Sequence, residues 1–170
     1  ESMPRCPEEA RVSLWLMASA KDDLPIVLWP QHGYNLQRRS WRMLIELDAA
    51  PAEPSLPDGI TIRPYAGQHE FEQLVIATEE AFTDHFGFVK QPHEEALAQW
   101  RHWTETDPEH DFADWFLAVD DASGEIAGMS LCRRKAWEDP TRAYIATLGV
   151  RRPWRKRGLG LALLQHSFGH

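Results

Sequence analysis

An apolar run, a basic loop and a glycine-opened helix follow one another between residues 144 and 168. The run Tyr144–Val150 is typical of a buried strand, and the helix is predicted to begin at Gly158. The first turn of a helix has unpaired N–H groups and a positive dipole end, and glycine lets a phosphate approach the backbone. Three basic residues stand directly before Gly158. The segment therefore predicts a site for a pyrophosphate-bearing cofactor.

Composition narrows the classes of partner. A chain of 170 residues with 43% hydrophobic residues is expected to form an ordinary domain with a real core. Its net charge of −8 argues against a nucleic-acid binder and favours a cationic or amine partner. No apolar run is long enough for a membrane span, and we expect no signal peptide. Cys6 and Cys132 suggest unpaired thiols in a reducing cytoplasm, and no spacing indicates a metal site.

The spacing of the loop separates it from other phosphate sites. It is Arg155-x-x-Gly158-x-Gly160, which matches neither the dinucleotide fingerprint nor the P-loop. It resembles the R/Q-x-x-G-x-G/A signature of the GNAT superfamily of N-acetyltransferases, and the preceding L-G-V-R-R-P-W is similar to that family's passage from strand to loop. The rival interpretations are a purely structural strand–loop–helix with solvated basic residues, and nucleic-acid binding by residues 151–157.

The resemblance implies acetyl-coenzyme A as the acyl donor. Backbone groups of Leu148 and Val150 would hold the pantetheine arm, and the loop amides of residues 155–161 would hold the pyrophosphate. The implied cofactor-binding residues are Leu148, Gly149, Val150, Arg155, Lys156, Arg157, Gly158, Leu159, Gly160 and Leu161.

A proline-rich linker divides the chain. Residues 49–59 contain three prolines, which favour an extended path. Before the linker, hydrophobic periodicity predicts strands at Ala10–Ala18 and Arg38–Leu47 and a helix at Asp22–Gln31. After it come a strand at Ile60–Arg63, helices at Gly67–His85 and Pro92–Thr106, strands at Trp115–Val119, Glu125–Arg133 and Ala143–Val150, and a helix from Gly158.

The order of these elements is unusual for the family. Residues 60–168 resemble the first part of a GNAT domain, whereas residues 1–48 resemble its closing strand, helix and strands. The chain would then be a segment of a tandem two-domain protein, a permuted domain, or a homodimer with exchanged strands. The implied fold is α/β: a mixed, mostly antiparallel sheet with helices on both faces and a splayed cofactor strand. We expect residues 10–47 to complete that sheet, within the chain or across a dimer.

The implied activity is N-acetyltransfer from acetyl-coenzyme A to an amine of a small molecule or peptide. The candidate catalytic residues are His85 and Glu80, at the end of the first helix after the linker, and Tyr34. The sequence departs from the family at the usual tyrosine acid, where Trp29 stands. The alternative is a non-catalytic acyl-coenzyme A binding module, or degenerate GNAT repeat.

Overall fold

The computed structural model describes residues 14–107, 111–136 and 139–170. The chain divides into two units, which meet in sequence between Ile45 and Glu46.

The first unit contains one helix, α1 (Asp23–Gln31), among its described residues. This helix confirms the prediction for Asp22–Gln31. Pro30 lacks a backbone N–H, and the helix ends one residue later. The backbone N–H of Tyr34 then donates to the carbonyl of Trp29 at 3.1 Å.

Residues 14–18 and 38–47 form no strand, so the strand predicted at Arg38–Leu47 is wrong. The strand predicted at Ala10–Ala18 is not seen over its described part, and residues 10–13 lie outside the described residues. A strand needs a hydrogen-bonding neighbour along at least one edge. The alternating side chains Trp41 and Met43 are 86% and 87% exposed, so the described residues do not bury the face on which the prediction relied.

The second unit is built on a four-stranded antiparallel sheet. Its strands are β1 (Ile60–Pro64), β2 (Trp115–Asp120), β3 (Ile126–Arg133) and β4 (Tyr144–Val150), paired in that order. Three helices accompany it: α2 (Phe71–Phe82), α3 (His93–Thr106) and α4 (Leu159–Gly169). Short 3₁₀ turns occupy Gln68–Glu70, Phe112–Asp114 and Arg152–Trp154.

Strand periodicity gives the sheet two buried faces. Leu117 and Met129 are paired across β2 and β3 and pack with α2 and α3. The next residue of β2, Ala118, faces the opposite side, where it packs with Leu159 and Leu163 of α4. Successive side chains point to opposite faces of a strand, so apolar residues on both faces require helices on both. This confirms the predicted fold of a mostly antiparallel sheet between helical layers.

Residues 14–47 contribute no strand to this sheet, and residues 10–13 of the predicted completion lie outside the described residues. β4 is the last strand of the sheet in the described residues, and it pairs only with β3. Pairing across a dimer stays a prediction.

Two leucines of α4 provide a matched test of the second core. Leu163 is fully buried and Leu161 is 60% exposed. We expect Leu163→Ala to lower the free energy of unfolding by about 2–5 kcal/mol, because it removes buried apolar contacts and leaves a cavity. Leu161→Ala should change it by no more than about 0.5 kcal/mol. Urea unfolding followed by circular dichroism measures both, and equal losses would contradict the assignment of the buried face.

Candidate functional site

An open cavity of about 360 Å³ lies where the ends of α2 and β4 meet the start of α4. Its lining residues are Ala81, Phe82, Leu148, Gly149, Val150, Trp154, Arg155, Lys156, Gly158, Leu159 and Gly160. Eight of the ten residues predicted to bind the cofactor are in this set, and Arg157 and Leu161 are not. Sequence reasoning missed Ala81, Phe82 and Trp154, because only the packing of α2 and the 3₁₀ turn on β4 brings them here.

β4 carries a bulge before it reaches the cavity. Leu131 pairs with Thr147 and Cys132 with Ile145, so β4 has one residue more than β3 at this point. A bulge of this kind bends its strand and increases the local twist. The bend precedes Leu148, Gly149 and Val150, the three strand residues that line the cavity.

Gly149 is required by close packing at the cavity wall. A Cβ added there would lie 2.9 Å from both Met129 Sδ and Phe82 Cε2. Any larger residue would therefore displace Phe82, which itself lines the cavity. The glycine lets the end of α2 lie directly on β4.

The loop after β4 presents the start of α4 to the cavity. Lys156 has a φ of 63° and Gly158 a φ of 83°, both left-handed, and α4 begins at Leu159. No side-chain hydrogen bond caps the helix at Gly158 within the described residues. The first N–H groups of a helix have no intrahelical partner, so the first turn of α4 is suited to bind an anion.

The guanidinium of Arg155 contacts protein groups rather than open space. It donates from Nε to the carbonyl of Val150 at 2.9 Å and from NH2 to the carbonyl of Ala81 at 2.8 Å. Its NH1 donates to Asp84 Oδ2 at 2.9 Å. The side chain thus joins β4, α2 and the loop, and its backbone remains the part available to a pyrophosphate.

Two further arginines of the basic loop are also held by acidic residues. Arg151 donates from Nε to Glu80 Oε2 at 2.6 Å, and its guanidinium lies 4.9 Å from the centre of the Trp154 ring. Arg152 donates from Nε to Asp84 Oδ2 at 3.0 Å. Arg152 first, and then Arg155, hold the pKa of Asp84 well below its usual range. Most of the loop's positive charge is therefore already paired.

Lys156 and Arg157 complete the basic loop. Arg157 donates to the carbonyl of Asp58 at 3.0 Å and is not one of the cavity-lining residues. Lys156 lines the cavity and forms no hydrogen bond or ion pair with the described residues. Its ammonium group is therefore not committed to another described residue of the protein.

The candidate catalytic residues fall in both units, and each is described within its own unit. Glu80 is an exposed partner of Arg151. His85 is exposed and lies beyond α2, with its ring edge-on to Phe82 at 5.7 Å between centroids. Tyr34 belongs to the first unit, where its ring lies 6.4 Å from that of Trp29. Phe82 both contacts the His85 ring and lines the cavity.

Within the described residues, no group of histidine, cysteine and acidic side chains could hold a metal ion. Cys132 is a free thiol on β3, and Cys6 lies outside the described residues. No helix in the described parts of the chain combines the length and apolar character that a membrane span requires.

Residues 74–169, more than half of the chain, match the model of the acetyltransferase (GNAT) family. The chain belongs to this family, whose members carry out acyl transfer. The matched residues include the loop after β4, the helices α3 and α4, and all of α2 except its first three residues.

The solved structures include similar proteins. A GCN5-related N-acetyltransferase from Sphaerobacter thermophilus is 35% identical, with a TM-score of 0.61 over 88% of this chain and 44% of its own. A tandem GNAT protein from the clavulanic acid biosynthesis pathway is 18% identical, with a TM-score of 0.45 over 67% of this chain and 33% of its own. The chain thus spans less than half the length of either. Comparison with curated proteins finds no match.

The two loop glycines should respond differently to alanine. Gly158 has a left-handed φ of 83°, whereas a Cβ at Gly160 would meet only Val150 Cγ2, at 3.8 Å. We expect Gly158→Ala to destabilise the fold by about 1 kcal/mol or more, because a Cβ is strained in that conformation. Gly160→Ala should be neutral or stabilise it by up to about 1 kcal/mol, because alanine favours a helix. Thermal unfolding compares the two, and a reversed order would contradict the loop conformation.

Proposed function

We propose that the chain binds acetyl-coenzyme A in the cavity at the end of β4 and transfers the acetyl group to an amine of a small molecule or peptide. The observation that carries the proposal is the meeting of the bent strand end with the uncapped first turn of α4. A strand end offers backbone groups to an extended pantetheine arm, and a helix start offers N–H groups to a pyrophosphate.

The proposed binding residues divide into three groups. Leu148, Gly149 and Val150 bind the pantetheine arm through their backbone. Residues 155–161 supply the amides for the pyrophosphate, and Lys156 adds an unpaired positive charge close to it. Phe82 and Trp154 form apolar walls.

Acetyl transfer requires that a base remove a proton from the attacking amine. His85 is our first candidate because it packs against Phe82 at the cavity wall. Glu80 is the second, although its carboxylate already accepts a hydrogen bond from Arg151 at 2.6 Å. Tyr34, the third candidate catalytic residue, stays a prediction.

We also propose that residues 1–48 belong to the end of one GNAT repeat and residues 60–170 to the start of the next, with residues 49–59 as linker. The Sphaerobacter relative matches 88% of this chain, which is more than the second unit alone, so part of the first unit has a counterpart there. The exposed apolar side chains of residues 38–47 suit a segment that packs elsewhere in a longer protein.

The second candidate function is a non-catalytic acyl-coenzyme A binding module. Two observations favour it: Trp29 stands at the usual tyrosine acid, and β4 carries no carboxylate. Such a module would bind the cofactor but release no thiol from it.

Calorimetric titration with acetyl-coenzyme A tests the binding proposal. We expect micromolar affinity in the parent chain and its loss in the Gly158→Asp/Gly160→Asp variant, because two carboxylates at the helix start repel a pyrophosphate. The matched control is Gly158→Asn/Gly160→Asn, which adds similar bulk without charge and should retain more affinity. Equal binding by all three proteins, each folded by circular dichroism, would contradict a pyrophosphate site at α4.

Release of coenzyme A thiol over a panel of amines separates the two functions. If His85 is the base, His85→Ala should lower turnover at least about tenfold while acetyl-coenzyme A affinity is kept. Glu80→Gln should do the same if Glu80 takes that role, and Glu105→Gln, an exposed charge on α3, is the control. Unchanged turnover in both variants would remove these residues as bases, and cofactor binding without thiol release from any amine would favour the binding module.

A further inference from the structure

The carboxylate of Asp84 accepts hydrogen bonds from arginines at both ends of the turn that leads into the cofactor loop. It lies two residues beyond α2, and its carboxylate accepts from Arg152 at one end of the 3₁₀ turn Arg152–Trp154. The same carboxylate accepts from Arg155, which directly follows that turn. One side chain of α2's C-terminal extension therefore fixes the exit of the chain from β4.

Arg155 extends this network into the cavity wall. Its other two hydrogen bonds reach the carbonyls of Val150 and Ala81, both cavity-lining residues. Asp84 orients the guanidinium, and the guanidinium holds the strand end and the helix end at a fixed separation. Planar guanidinium groups are suited to this task because several N–H donors point in set directions.

The backbone that follows is one that needs support. Lys156 is the non-glycine residue with a positive φ in the described parts of the chain, and Gly158 is left-handed two residues later. Such conformations persist when surrounding contacts determine them. The Asp84 network is the set of contacts that immediately precedes them in the chain.

We infer that Asp84 is a positioning residue for acyl-donor binding: through Arg152 and Arg155 it holds the loop in the shape that presents its N–H groups to the pyrophosphate. This inference rests on the proposed function. The depressed pKa of Asp84 keeps its carboxylate ionised at neutral pH, so the network is intact there.

A structural role and a purely electrostatic role of Asp84 predict opposite changes in ligand affinity when its carboxylate is removed. A carboxylate near an anion site repels the anion, so on charge alone its removal would tighten binding. If Asp84 acts by holding the loop, its removal weakens binding although the site becomes more positive. The sign of the change in affinity therefore separates the two.

The experiment is calorimetric titration of acetyl-coenzyme A into the parent chain, Asp84→Asn and Arg155→Lys. We expect the dissociation constant to rise about three- to tenfold in Asp84→Asn and at least about tenfold in Arg155→Lys, which keeps the charge but loses the fixed geometry. Glu105→Gln removes one exposed negative charge on α3 and should leave the constant unchanged.

S-acetylpantetheine, which lacks the pyrophosphate, is the second probe, and its binding is followed by ligand-observed NMR. Its affinity should be the same in the parent and in Asp84→Asn, whereas a general loss of structure would weaken both ligands. Equal or tighter binding of acetyl-coenzyme A by a folded Asp84→Asn chain would overturn the inference, as would equal weakening of both probes. Absence of acetyl-coenzyme A binding by the parent would instead contradict the proposed function.

Discussion

The close approach of α2 to β4 at Gly149 is the constraint on which the site depends. A Cβ at this position would collide with Met129 and Phe82, and a Cβ at Gly128 on the neighbouring strand would lie 2.8 Å from the Gly149 carbonyl. Two glycines thus let the strands and the helix pack closely where the cavity opens. Without that contact, the cavity would lose one wall and Arg155 could not reach the carbonyl of Ala81.

The strands and helices of the second unit could be predicted from short-range patterns in its sequence. Two apolar segments separated by a turn located β2 and β3, and the glycine spacing located the start of α4, because these features depend on neighbours in the chain. The prediction of a strand at residues 38–47 was wrong. Alternating apolar residues indicate a face that could be buried, but within the described residues no neighbouring strand or helix buries it.

The site was predictable in its backbone and not in its side-chain contacts. The residues from Leu148 to Gly160 carry the motif, whereas Phe82 and Asp84 reach the site through packing over about seventy positions of sequence. The arginines show the limit most clearly. In sequence they form a cluster suited to phosphate, but in the structure Arg151, Arg152 and Arg155 pair with α2 and its C-terminal extension, and the loop's shape is what they determine.

The position of Trp154 has an optical consequence. Its ring lines the cavity, stacks with Arg151 and donates from Nε1 to Asp120 Oδ2 at 2.9 Å, so the indole sits in a fixed and largely dry environment. Among the tryptophans that the structure describes it is the one that lines this cavity, and the exposed Trp15 and Trp41 emit from surroundings close to bulk water. A ligand bound in the cavity would thus change the short-wavelength part of the tryptophan fluorescence. The long-wavelength part would report on the exposed tryptophans of the first unit.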